Sequence, residues 1–131
     1  MWLIAEDELD IRNLVEMLCR AWGYDALVFE DGQRVWDWLD KVEAGQYSGP
    51  MPELALMDIR MPGKKGDEVA QRIRCVSALK DIPIVLMTAF ALTDSQKDVI
   101  IKNGADKIIG KPLPDFDKLH AILHNLMYSK A

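Results

Sequence analysis

Cysteine is scarce in this chain, with only Cys19 and Cys75 among 131 residues. Both fall inside apolar, helix-like stretches, so two buried free thiols are expected rather than a bridge, and a reducing cytoplasm suits them. No apolar run approaches the ~18 residues that a membrane span requires. The opening Met1-Trp2-Leu3-Ile4-Ala5 leads straight into Glu6-Asp7-Glu8, without the basic segment and long apolar core of a secretory signal. Basic residues are in deficit, 16 against 21 acidic, for a net charge of −5. Nucleic-acid backbones are bound by neutralising phosphate with Lys and Arg, so direct nucleic-acid binding by this chain is not expected. There is also no repeat, no low-complexity segment and no linker long enough to divide the chain.

What is present is an ordinary globular composition, 50% hydrophobic and 28% charged, which excludes disorder. A chain of this length buries roughly two-thirds of its unfolded surface and needs no disulfide or metal staple. A single domain over residues 1–131 is therefore expected.

Two hydrophobic periods alternate along it. Residues 1–5 form an apolar run too short for a helix. Ile11, Leu14, Val15, Leu18 and Trp22 then mark one face of an amphipathic helix, closed by Gly23. A second strand is predicted at 26–29, followed by a helix capped by Asp31 with Val35, Leu39 and Val42 on its inner stripe. After a loop rich in Gly and Pro (45–52), residues 54–57 read as a buried strand ending at Asp58. Pro62-Gly63-Lys64-Lys65-Gly66 breaks the chain again. Val69, Ile73 and Val76 form a third helical stripe, residues 84–87 a fourth strand, and 94–103 a fourth helix closed by Gly104. A fifth strand at 107–109 precedes Lys111-Pro112 and a last helix with Phe116, Leu119, Leu123 and Leu126 on one side. Strands apolar on both faces and alternating with helices predict a doubly wound α/β fold, a parallel sheet with helices on both faces.

Such sheets gather ligands beyond the carboxyl ends of their strands. Glu6 and Asp7 end the first strand, Asp58 the third and Thr88 the fourth, and Lys111 follows the fifth. Singly, each of these is an ordinary helix cap or surface charge. Together they bring three mutually repelling carboxylates to one ammonium, and the hard oxygen donors suit Mg²⁺, which bridges readily to phosphate.

The stretches Ala5-Glu6-Asp7-Glu8-Leu9-Asp10-Ile11-Arg12, Leu56-Met57-Asp58-Ile59-Arg60-Met61-Pro62-Gly63, Thr88-Ala89, Gly104-Ala105-Asp106 and Lys111-Pro112 make the chain resemble the receiver domain of two-component response regulators, the chemotaxis-regulator-like family. The resemblance covers essentially the whole chain. It implies a flavodoxin-like five-stranded sheet in the order 2-1-3-4-5. Asp58 would be the phosphoryl acceptor. Asp7, Asp58 and the Arg60 carbonyl would hold Mg²⁺, with Glu6 supporting through a bound water. Thr88 would hydrogen-bond the phosphoryl group, Lys111 would pair with one of its oxygens, and Lys111-Pro112 would be a cis peptide. The donor would be a sensor histidine kinase or phosphotransfer protein, or a small acyl phosphate. The output would be contact with a downstream effector protein or domain, with a phosphorylation-dependent homodimer as a further implied state. Such a domain catalyses only its own Mg-dependent phosphorylation and dephosphorylation, and is not an enzyme in the usual sense.

Two positions depart from the family pattern. Glu6 stands where Asp is more usual, and Ile108 where Tyr or Phe couples to the threonine. Isoleucine has no ring to swing, so switching is expected to rely on Thr88, its loop and the fourth helix. Arg60 and Phe90 are expected to border the phosphoryl group, and Phe90 either shields the acyl phosphate from water or packs under its loop. His120 and His124 have the i, i+4 spacing of metal ligands but no third partner nearby in sequence, so packing or surface roles are expected. Trp36 and Trp38 are expected to pack, with Trp36 farther from the core stripe. Val99-Ile100-Ile101 covers more than half a helix circumference, so at least one is expected to be exposed, on the face that receivers use for partners.

Three alternatives remain at this point: a flavin-binding flavodoxin, a small phosphatase with an Asp nucleophile, and a receiver-like binding module that is not phosphorylated. The first strand starts on Met1 and the chain reaches Tyr128-Ser129-Lys130-Ala131 without a further domain. A stand-alone regulator and a receiver cut from a longer regulator or hybrid kinase both fit.

Overall fold

A computed structural model describes residues 1–130, so only Ala131 of the expected domain lies outside the described residues. Five strands alternate with five helices: β1 (Trp2–Ala5), α1 (Leu9–Ala21), β2 (Ala26–Phe29), α2 (Gly32–Glu43), β3 (Leu54–Asp58), α3 (Gly66–Arg74), β4 (Ile84–Thr88), α4 (Asp94–Lys102), β5 (Lys107–Gly110) and α5 (Phe116–Lys130). The strands form one parallel sheet in the order β2-β1-β3-β4-β5. The fold is the flavodoxin-like α/β fold expected from the resemblance.

Strand alternation divides the core between the two faces of the sheet. Leu3, Ala5, Ala55, Met57, Ile84 and Leu86 face α2 and α3, packing on Val35, Leu39, Val69 and Ile73. Trp2, Ile4, Leu54, Leu56, Val85 and Met87 face α1 and α5, packing on Val15, Leu18, Leu119 and Leu123. The central strands β1, β3 and β4 are buried throughout, which is why they read as unbroken apolar runs.

Helix ends follow their local chemistry. Asp31 accepts a hydrogen bond from the Arg34 amide at 2.8 Å, and Thr93 and Gln96 form a reciprocal capping box. Gly23 takes φ +93° after α1 and Gly104 φ +137° after α4, the left-handed conformations that end helices.

Two expectations fail in this region. Cys19 is buried, but Cys75 is exposed. It caps the C-terminus of α3, rotated off the stripe Val69, Ile73 and Val76 that faces the sheet. Phe116 is exposed as well, at 52%: as the first residue of α5 it precedes the turns that meet the core through Leu119 and Leu123. Trp38 is buried and Trp36 half-buried, so both pack. α4 carries no buried residue, and it exposes Val99 and Ile101 while Ile100 reaches the core edge.

Candidate functional site

Parallel register sets the site. Ala5 lies beside Met57, Asp58 beside Met87, and Thr88 beside Gly110, so residues just past these positions share one edge of the sheet. Backbone bonds extend the alignment by a residue: the Glu6 amide donates to Phe29, Ile59 to Met87, and Lys111 to Thr88 at 2.7 Å. Glu6, Asp58, Thr88 and Lys111 are delivered to one cleft by four strands whose interiors are fixed by packing.

Glu6 is fully buried, and Asp58 and Thr88 nearly so. Asp7 is exposed at the mouth. The Lys111 ammonium donates to Glu6 Oε1 and to Asp58 Oδ2, the latter at 3.1 Å. One cation therefore ties two of the three carboxylates. Burial pushes the Glu6 carboxyl up to about 7; the Lys111 hydrogen bond opposes this, and the neighbouring Asp58 adds to it. Burial works against the Lys111 ammonium, but its bonds to Glu6 and Asp58 outweigh that and hold its pKa above the usual lysine value. Among Glu6, Asp7, Asp58 and Lys111, three carboxylates stand against one ammonium.

Carboxylate oxygens of Glu6, Asp7 and Asp58 all lie within 4.8 Å of one another. Three hard oxygen donors, one of them at the solvent mouth, fit a small divalent cation that keeps several waters. A cavity lined by Asp7, Arg60, Met61, Pro62 and Lys65 opens beside them.

Thr88 is in place, but its hydroxyl accepts from the Phe90 amide at 3.1 Å and so serves the following loop. Ile108 lies in β5 opposite Leu86, half-buried. Its neighbour Ile109 faces the α1–α5 core, so Ile108 faces the α4 side, away from the carboxylates. Arg60 and Phe90 are brought together across the two loops, the guanidinium carbon 3.9 Å from the ring centroid, with Phe90 51% exposed. The Lys111-Pro112 peptide is cis. Arg12 was not assigned a role from sequence, yet its Nη1 donates to the Glu6 carbonyl at 3.1 Å. Its signal was its place one turn past the acidic run, on the helix that follows β1.

His120 and His124 lie at the opposite end of the molecule from this cluster. His124 Nδ1 donates to the His120 carbonyl at 3.0 Å, leaving Nε2 to accept from the Tyr24 hydroxyl at 2.8 Å. With Trp2 and Trp22 they form an aromatic cluster, which is a packing role.

Residues 2–124 match the family model described as the response regulator receiver domain. The chain is 33% identical over 119 residues to the transcriptional regulatory protein YrkP of Bacillus subtilis, covering 91% of this chain and 46% of that protein. It is 31% identical over 121 residues to the transcriptional regulatory protein ZraR of Klebsiella oxytoca, covering 92% of this chain and 25% of that one. The chain thus spans less than half the length of either relative. The receiver domain of the sensor histidine kinase PA1611 from Pseudomonas aeruginosa, solved with magnesium coordinated in its active-site cleft, shares the fold with a TM-score of 0.77. That match has 24% identity and covers 96% of this chain and 95% of the other. The chain belongs to the response regulator receiver family of two-component signalling.

Proposed function

We propose that this receiver domain takes a phosphoryl group onto Asp58 and signals through the surface change that follows. The observation that carries the reading is Asp58 itself: a nearly buried carboxylate at the end of the central strand, hydrogen-bonded to Lys111 and grouped with Glu6 and Asp7.

A carboxylate oxygen of Asp58 attacks phosphorus in line as the bond to the donor breaks, and the electron pair of that bond leaves with the donor group. The donor is a phosphohistidine on a sensor kinase or phosphotransfer protein, or a small acyl phosphate. An ionised carboxylate needs no general base, so the work is positioning and charge neutralisation. Lys111 exchanges its Asp58 contact for a phosphoryl oxygen. Thr88 turns its hydroxyl from the Phe90 amide toward the new group. Asp7, Asp58 and the Arg60 carbonyl, with Glu6 in support, would hold a Mg²⁺ ion, which when bound would supply the remaining neutralisation. The product adds roughly two negative charges to the cleft, which biases the Thr88 loop and α4.

The domain promotes only its own phosphorylation and dephosphorylation. A cytoplasmic setting follows from partners of this kind, and among the described residues no helix is long and apolar enough to cross a membrane. Its output is contact with an effector protein or domain, or with a second phosphorylated copy, as one receiver unit over residues 1–131.

Intact mass after incubation with acetyl phosphate and Mg²⁺ tests this. One phosphoryl adduct is expected on the wild type, and none without Mg²⁺ or on Asp58→Asn. An adduct on Asp58→Asn, or none on the wild type, overturns the assignment.

A further inference from the structure

We propose that the first turns of α2 brace the loop that follows the acceptor strand, with Gly32 and Trp36 as positioning residues for the cation site. The inference rests on reading that loop, through its Arg60 carbonyl, as part of that site.

Loop 59–65 is closed at its base. The Gly66 amide donates to the Ile59 carbonyl at 2.8 Å, and a Cβ on Gly66 would overlap the Asp58 carbonyl. Its far limb leans on α2 at three places. Gly32 is buried against the Lys64 backbone, where a Cβ would overlap the Lys64 carbonyl oxygen. Gly63 takes φ +78°, and a Cβ there would come within 2.6 Å of Gln33 Cβ. The Lys64 ammonium sits 4.5 Å from the centroid of the Trp36 ring.

Trp36 is itself held. The Arg72 guanidinium lies 4.6 Å from the same ring and is anchored to Asp40 at 2.7 Å and to Glu43 at 2.8 Å. A continuous path therefore runs from α2 and α3 through Trp36 and Lys64 into the acceptor loop. Gly32 offers no side-chain donor, and the Trp36 ring packs with Lys64 and Arg72, so neither would supply a ligand to the cation. They act by fixing where the loop carbonyls stand, as outer residues do around a metal's ligands.

Direct Mg²⁺ titration by calorimetry, with amide exchange of residues 59–66, tests the brace on Gly32→Ala, Trp36→Leu and the control Val42→Ala. Val42 lies in the last turns of α2, at the core edge and away from the loop. Gly32→Ala is expected to weaken Mg²⁺ binding about tenfold and to speed exchange in the loop. Trp36→Leu removes the cation–ring contacts and is expected to weaken binding roughly two- to fivefold; it keeps the proposal testable if Gly32→Ala does not fold. Val42→Ala should lower stability with Mg²⁺ affinity unchanged. Wild-type affinity in a folded Gly32→Ala, or an equal loss in Val42→Ala, overturns the brace. If the wild type takes up no Mg²⁺, the cation reading fails, and unchanged loop exchange in both Gly32→Ala and Trp36→Leu overturns the brace separately.

Discussion

At the scale of single residues, Cys19 and Cys75 show how much a side chain's place on a helix matters. Burial raises the Cys19 pKa from 9.0 to about 11, while Cys75 is open to solvent. A thiol reagent added to the native protein is expected to modify Cys75 alone, with Cys19 reacting only after unfolding; mass counting of adducts checks this. The pH dependence has a definite sign. Because the folded state holds the Cys19 proton more tightly than the unfolded chain, stability falls as pH rises from 9 to 11, by roughly 2 to 3 kcal/mol. Urea unfolding across that range should show this component in the wild type and not in Cys19→Ala. Burial of Cys19 was legible in sequence, because it follows Leu18 on a strongly periodic helix. Exposure of Cys75 was not: a short apolar stretch at a helix end does not reveal which residue turns outward. The grouping of Glu6, Asp7, Asp58 and Lys111 was legible because each stands at or just past the end of a strand. Arg12 escaped notice since its role depends on a backbone carbonyl, which has no sequence signature.

At the scale of elements, α3 and α4 are held in opposite ways. α3 buries Val69, Ala70 and Ile73, whereas α4 buries nothing and is secured mainly at its C-terminal turn. There Arg74, from α3, donates to the Gly104 carbonyl at 2.9 Å and to Asp106 at 2.9 Å. It also donates to the carbonyls of Lys80 and Ile82, and Asp106 accepts from the Ile84 amide at 2.8 Å. One side chain thus joins α3, the loop before β4 and the turn before β5. Arg74→Met removes the guanidinium's bonds to Gly104, Lys80, Ile82 and Asp106 and is expected to cost about 3 kcal/mol in urea unfolding. In the wild type, amides of α4 should exchange faster than those of α2, since few buried contacts resist local opening. The sequence marked α4 as unusual through Val99-Ile100-Ile101, three adjacent apolar residues that cannot share one face. It could not show that two of the three would be exposed, because that depends on how shallowly the helix sits on β5.

At the scale of the whole molecule, the sheet concentrates a cost at one edge. Continuous apolar strands position Glu6 and Asp58 without adjustment from solvent, and a single ammonium faces three carboxylates. The alternation of short apolar runs and helical stripes made this architecture legible. Strand order came instead from the family's motifs, because the runs themselves do not say which strands are neighbours. Membership in the receiver family sets aside the flavodoxin and phosphatase alternatives, whose chemistry would call for different residues after β1. Burial is the main cause of the raised Glu6 pKa and the neighbouring Asp58 adds to it; a divalent cation that binds only the folded edge should lower it. With Mg²⁺ at about a hundred times its Kd, linkage adds about 2.7 kcal/mol of stability, a rise of several degrees in Tm for a domain of this size. Asp7→Asn removes the exposed carboxylate of the set while leaving the buried strand ends in place. It should fold and should lose most of that rise, whereas NaCl at matched ionic strength should not reproduce it. Thermal melts with and without Mg²⁺ on the two proteins decide the matter. An equal rise in both would mean that the cation binds elsewhere or acts by general screening.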